Sequence, residues 1–84
     1  MTVDEMVALF RRHGVPDWYF VTGGGLGGGE CVGIEQRADG WFVYYSEHGR
    51  KSPLGMFQTE DEATRFMVKQ VDRMLRQNGL RPLL

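Results

Sequence analysis

"ECVGIEQRADGWFVYYSE", residues 30–47, alternates apolar and polar side chains on both sides of an Asp39-Gly40 pair. A period of two is that of a strand with one buried face, and Asp-Gly between two such runs signals a β-hairpin. A two-residue type I′ turn at Asp39-Gly40 predicts Arg37 opposite Phe42, Glu35 opposite Tyr44 and Ile34 opposite Tyr45. One face then carries Val32, Ile34, Trp41, Val43 and Tyr45, the side suited to a core. The other carries Cys31, Glu35, Arg37, Phe42, Tyr44 and Ser46.

Working outward, "DWYFVT", residues 17–22, reads as a first strand, and "PLGMFQ", residues 53–58, as a short further strand. An amphipathic helix is expected from about Thr2 to His13, with Thr2 and Glu5 as a capping box and Val3, Met6, Val7 and Phe10 as its apolar stripe. Gly14 ends it, with Pro16 beyond. A second helix is expected from about Glu60 to Gln77, with Thr59 and Glu62 at its start and Asn78-Gly79 at its end. Ala63, Phe66, Met67, Val71, Met74 and Leu75 form its apolar face, and the apolar tail "LRPLL" docks or frays. The order α-β-β-β-(β)-α predicts an α+β, two-layer fold. Its sheet is an antiparallel three- to four-stranded meander, with the N- and C-terminal helices packed on one face.

Eighty-four residues make one domain, 1–84, with 42% hydrophobic and 25% charged residues, ordinary globular values. The net charge of −1 argues against a general nucleic-acid binder. A single cysteine, Cys31, excludes an internal disulfide, and with two histidines, His13 and His48, a closed structural zinc site is nearly excluded. No metal or cofactor is therefore expected, with weak binding of a metal by carboxylate ligands left open. Acids precede bases in "MTVDEMVALFRRHG", residues 1–14, the reverse of a signal peptide, and no run of 18 apolar residues occurs. The expectation is a soluble cytoplasmic protein without membrane contact.

The glycine run "VTGGGLGGGE", residues 21–30, formally contains G-x-G-x-x-G at Gly23, Gly25 and Gly28. A dinucleotide fingerprint needs a helix directly after the glycines, whereas the residues that follow alternate like a strand. A phosphate-binding P-loop needs Lys-Ser/Thr after the glycines, which is also missing. The run therefore reads as a flexible connector, with a loop ordered by a partner as the alternative.

Phe42 and Tyr44 are large for a solvated strand face. Arg37 stacked over Phe42, with Glu35 beside Tyr44, is the structural explanation. A binding face is the functional one, since aromatic and arginine side chains anchor interfaces, and Trp18 is either a third aromatic member or core. "SEHGRK", residues 46–51, reads as a charged loop; Glu47 beside His48 resembles an acid–base pair but no nucleophile is placed with it. Cys31 has no evident base either. No catalytic residue is therefore assigned, and the candidate partner-binding set is Glu35, Arg37, Phe42, Tyr44, Glu47, His48 and Arg50.

The string "CVGIEQRADGWFVYYSEHGRKSPLGMFQTEDEATRFM", residues 31–67, resembles a group of small bacterial proteins. Their pattern is G-G, then I-E, D-G-x-W-x-V-Y-Y-S-E-x-G, then F-x-T/S-E-x-E-A. Matching positions are Gly28, Gly29, Ile34, Glu35, Asp39 to Trp41, Val43 to Glu47, Gly49, Phe57, Thr59, Glu60, Glu62 and Ala63. The triple glycines and Phe42 depart from the pattern. Such proteins look like immunity proteins of polymorphic and contact-dependent toxin systems. The resemblance implies a non-enzymatic binding protein that neutralises a cognate toxin domain by protein–protein contact, and it supplies no catalytic residues. The alternatives are a small double-stranded-RNA-binding-like module, a homo-oligomeric domain such as a homodimer sealed by the aromatic face, and a small enzyme or ligand-binding domain. The RNA reading is weakened by Glu60, Asp61 and Glu62, which stand where that family places lysines.

Overall fold

Thr2 starts the first helix as the capping box requires. Its hydroxyl accepts from the Glu5 N–H at 3.1 Å, and the Glu5 carboxylate accepts from the Thr2 N–H at 2.7 Å. In the computed structural model, which describes residues 1–27 and 29–84, helix α1 runs Val3–His13 and buries Met6 and Phe10. Gly28, a member of both the G-x-G-x-x-G spacing and the family-like pattern, lies outside the described residues. Gly14, at φ 87°, closes α1: its N–H and that of Val15 return to the carbonyls of Arg11 and Phe10.

Helix α2 runs Glu60–Gln77, with Thr59 Oγ1 accepting from the Glu62 N–H at 3.1 Å. The capping box is only half made, because the Glu62 carboxylate accepts from the Thr59 hydroxyl instead of its backbone. Ala63, Met67, Val71 and Leu75 of the expected face are buried, joined by Val68, while Phe66 and Met74 pack at its margin. Gly79 (φ 69°) ends the helix, with the Leu80 N–H bonded to the Leu75 carbonyl. The tail docks: Asp72 Oδ1 accepts from the Leu83 and Leu84 N–H groups at 2.8 and 3.1 Å. The same carboxylate takes Arg76 at 2.8 Å, and these bonds, the arginine foremost, hold it below its usual pKa.

The acids that open α2 fasten α1. Glu60 accepts from the Val3 N–H at 2.8 Å, and Asp61 pairs with the N-terminal ammonium and with Arg65.

The segment between the two helices in sequence forms one sheet of order β1-β2-β3-β4, where β1 is Phe20–Val21, β2 Cys31–Arg37, β3 Gly40–Glu47 and β4 Arg50–Phe57. The α+β two-layer architecture, with both helices on one face, is the one expected. Val32, Ile34 and Val43 meet Met6, Phe10, Met67, Val71 and Leu75 in the core, with Trp41 and Tyr45 at its edge.

Three local readings are corrected. Residues 17–22 are not one antiparallel strand: Asp17–Tyr19 form a 3-10 turn after Pro16, and Phe20–Val21 pair in parallel with Val32–Gly33. Parallel strands cannot be joined by a tight turn, which is why a longer connection separates Val21 from Cys31. In the hairpin, Arg37 pairs with Gly40, Glu35 with Phe42 and Ile34 with Val43. Its central turn residues are thus Ala38 and Asp39, neither at positive φ, which excludes type I′ and places Gly40 at the last corner. The type I′ geometry occurs instead at His48 (φ 49°) and Gly49 (φ 74°), between Glu47 and Arg50. Finally, β4 begins at Arg50, three residues before the expected Pro53, and carries a bulge where Leu54 has no partner on β3.

No helix of the described residues is long and apolar enough to cross a membrane.

Candidate functional site

The pairing shift moves every partner by two residues, so each side chain keeps its expected face. Cys31, Gly33, Glu35 and Arg37 on β2, and Phe42, Tyr44 and Ser46 on β3, share the face turned away from the helices. Lys51, Pro53 and Met56 of β4 extend it, opposite Ser46, Tyr44 and Phe42.

This outer face is not open. Tyr44 and Cys31 are fully buried, Ser46 nearly so, and Phe42 retains 7% of its surface. The cover is the glycine connection. The Tyr44 hydroxyl donates to the Gly25 carbonyl at 2.6 Å, the Gly27 N–H donates to Ser46 Oγ at 3.4 Å, and the Gly24 N–H donates to the Ile34 carbonyl at 3.3 Å. Side chains on the loop would obstruct this packing: a Cβ on Gly24 would run into the Glu35 carboxylate, and one on Gly27 into Cys31 Sγ. Gly23 and Gly24, at φ 70° and 82°, make the turn that lays the loop down. The run is a connector, as expected, but one packed onto the sheet in place of a free hinge.

Beneath and beside the loop, Phe42 and Tyr44 stack with centroids 5.5 Å apart. The Arg37 guanidinium lies 3.8 Å above the Phe42 ring, the stacking expected from the sequence but reached diagonally across the strands. Lys51 Nζ sits 4.9 Å from the Tyr44 centroid. Glu35 joins the two cations, 2.7 Å from Arg37 and 3.5 Å from Lys51. Those partners, Arg37 first, hold the Glu35 carboxyl below its ordinary range. Burial, reinforced by the neighbouring Glu35 charge, pushes the Tyr44 phenol up to about 12. Burial also raises the Cys31 thiol, against the opposing bonds of Ser46 and Gly27, so it stays protonated and a poor nucleophile.

Of the seven candidate contact residues, Glu35, Arg37, Phe42 and Tyr44 thus form one cluster. Tyr44, with no exposed surface, supports the outer layer from below and cannot itself touch a partner while the loop is down. Glu47, His48 and Arg50 lie at the β3–β4 turn, at the other end of β3 from Arg37. Trp18 is 71% exposed, hence not core. Sequence reasoning missed Lys51, whose place beside Tyr44 depends on the early start of β4. It also missed Gly33, a strand-interior glycine directly opposite Tyr44, where a Cβ would collide with the aromatic ring.

What the outer layer leaves to solvent is apolar and basic. Leu26, between the two loop anchors, is half exposed, as are Met56 and, to a lesser degree, Leu54. Ser46 is buried on the outer face while Glu47 points the other way along the strand, so these two are not paired as a nucleophile and its base would be. No protein-family model matches the chain, and no curated protein or solved structure is significantly similar to it.

Proposed function

We propose that this chain is a cytoplasmic binding protein that acts by contact with another protein, its partner being the toxin domain of a polymorphic or contact-dependent system, which it neutralises. One observation carries the reading beyond the sequence resemblance. Exposed Leu26 and Met56 belong to the same outer layer as Arg37 and Lys51, which a rigid Phe42–Tyr44 stack supports from beneath. Apolar side chains on a fixed platform supply buried area at little ordering cost, and the surrounding charges, with Glu47, His48 and Arg50, orient the encounter. In this reading the aromatic pair is the platform and not the contact.

The test is capture from the producing cells with the purified chain as bait, followed by reconstitution with the domain recovered. The C-terminal domain of a large secreted or surface protein is the expected catch. Leu26→Asp combined with Met56→Glu is expected to weaken that complex by about 100-fold or more, on the scale of two interface anchors. Unchanged affinity would remove the outer layer as the interface. Recovery of the chain alone, as a dimer by light scattering, would make this face an oligomer seam.

A further inference from the structure

Two chain segments end side by side where β2 begins and β3 ends. Glu30 closes the glycine connection immediately before β2, and Glu47 and His48 lead into the β3–β4 turn. One ligand atom from each, two carboxylate oxygens and an imidazole nitrogen, lie within 4.8 Å of one another. Glu30 and His48 also line a recess of about 250 Å³ with Gly27, Gly29 and Gly49.

The electrostatics of the group are unbalanced. Glu35, Asp61 and Asp72 each hold a cation, whereas among the described residues no lysine, arginine or N-terminal ammonium lies within 4.0 Å of the Glu30 or Glu47 carboxylate. Tyr45 is a hydrogen-bond neighbour of Glu30, and two carboxylates with an imidazole this close make a donor set for a cation. His48 stands at the first positive-φ position of the type I′ turn, directly after Glu47.

We propose that Glu30, Glu47 and His48 bind a divalent first-row transition ion of the zinc class, clamping the end of the glycine connection to the β3–β4 turn. Imidazole with two carboxylates suits such an ion, and three protein ligands leave a fourth position for water. Tetrahedral ligands about 2.1 Å from zinc stand ~3.4 Å apart, so the three atoms must close by about an ångström, a movement within reach of these solvent-facing side chains. Magnesium and calcium, which take six or more oxygens, fit the set poorly. Glu47 and His48 also belong to the proposed toxin contact, but metal binding is read on the chain alone and stands or falls separately.

The test is calorimetric titration of the full chain with ZnCl₂, and with MgCl₂ as the contrast. One equivalent of Zn²⁺ is expected to bind, with Mg²⁺ weaker by about 100-fold. Glu30→Gln, Glu47→Gln and His48→Asn are each expected to weaken Zn²⁺ binding about 10-fold or more, while His13→Ala leaves it unchanged. His48→Asn is the decisive variant, because asparagine favours the left-handed conformation: its thermal midpoint should hold or rise while binding is lost. Absence of Zn²⁺ binding, or binding that survives the three substitutions, would overturn the proposal.

Discussion

The ring of Tyr44 lies across the bare Cα of Gly33, its direct partner in the β2–β3 register, and from there its hydroxyl reaches the Gly25 carbonyl. A glycine inside a strand weakens it by entropy and by the missing side chain. Here the aromatic neighbour fills the space and carries the glycine connection on its far edge.

Gly33→Ala is therefore expected to destabilise the fold by about 1–3 kcal/mol, although its backbone is not at positive φ and alanine would otherwise stabilise it. In a Tyr44→Ala background the same substitution should be nearly harmless, because the ring it strikes has gone. Denaturant unfolding of the four proteins measures this, and an equal cost of alanine in both backgrounds would refute the steric account.

A second expectation concerns alkaline stability. The folded state keeps the Tyr44 phenol protonated up to about 12, against 10.0 for the free group. Between those values the native chain holds a proton that the unfolded chain has released, so stability falls as pH rises through the window. Cys31, also raised by burial, adds to the fall from its ordinary 9.0 upward. Urea midpoints measured from pH 8 to 11.5 should decline less steeply for Tyr44→Phe than for the natural chain. Parallel curves would mean the phenol titrates alike in both states.

The buried thiol reports on the cover above it. Cys31 lies under Gly27, so a disulfide reagent reaches it only when the connection lifts. Tyr44→Phe removes one hydrogen bond holding that segment, of order 1 kcal/mol, and is expected to speed native-state labelling about 5-fold. Should labelling in both proteins proceed at the rate of global unfolding, the connection does not open on its own.

Alternation in residues 30–47 was enough to assign both faces of the hairpin, because a period-two pattern survives a two-residue change of partner. The same pattern says nothing about strand direction, so the parallel pairing of Phe20–Val21 was not legible. The turns were exchanged for a chemical reason: Asp-Gly is a favoured type I′ pair and His-Gly is not, yet the chain bends that way at His48-Gly49. Reading Arg50–Ser52 as loop then hid Lys51 from the candidate cluster. Glu35, Arg37, Phe42 and Tyr44 could be grouped from the sequence, but their covering could not, since nothing local specifies which face a glycine segment will cross. Gly33 opposite an aromatic residue was the available clue.

The parallel pairing of β1 also imposes a sequence of events on folding. Strands β2, β3 and β4 close through two-residue turns and need only neighbouring chain, whereas β1 pairs with β2 across a longer connection that costs more loop-closure entropy. The contacts of Gly24, Gly25 and Gly27 are therefore expected to form late, so that their loss speeds unfolding more than it slows folding, which stopped-flow unfolding and refolding of Tyr44→Phe would measure.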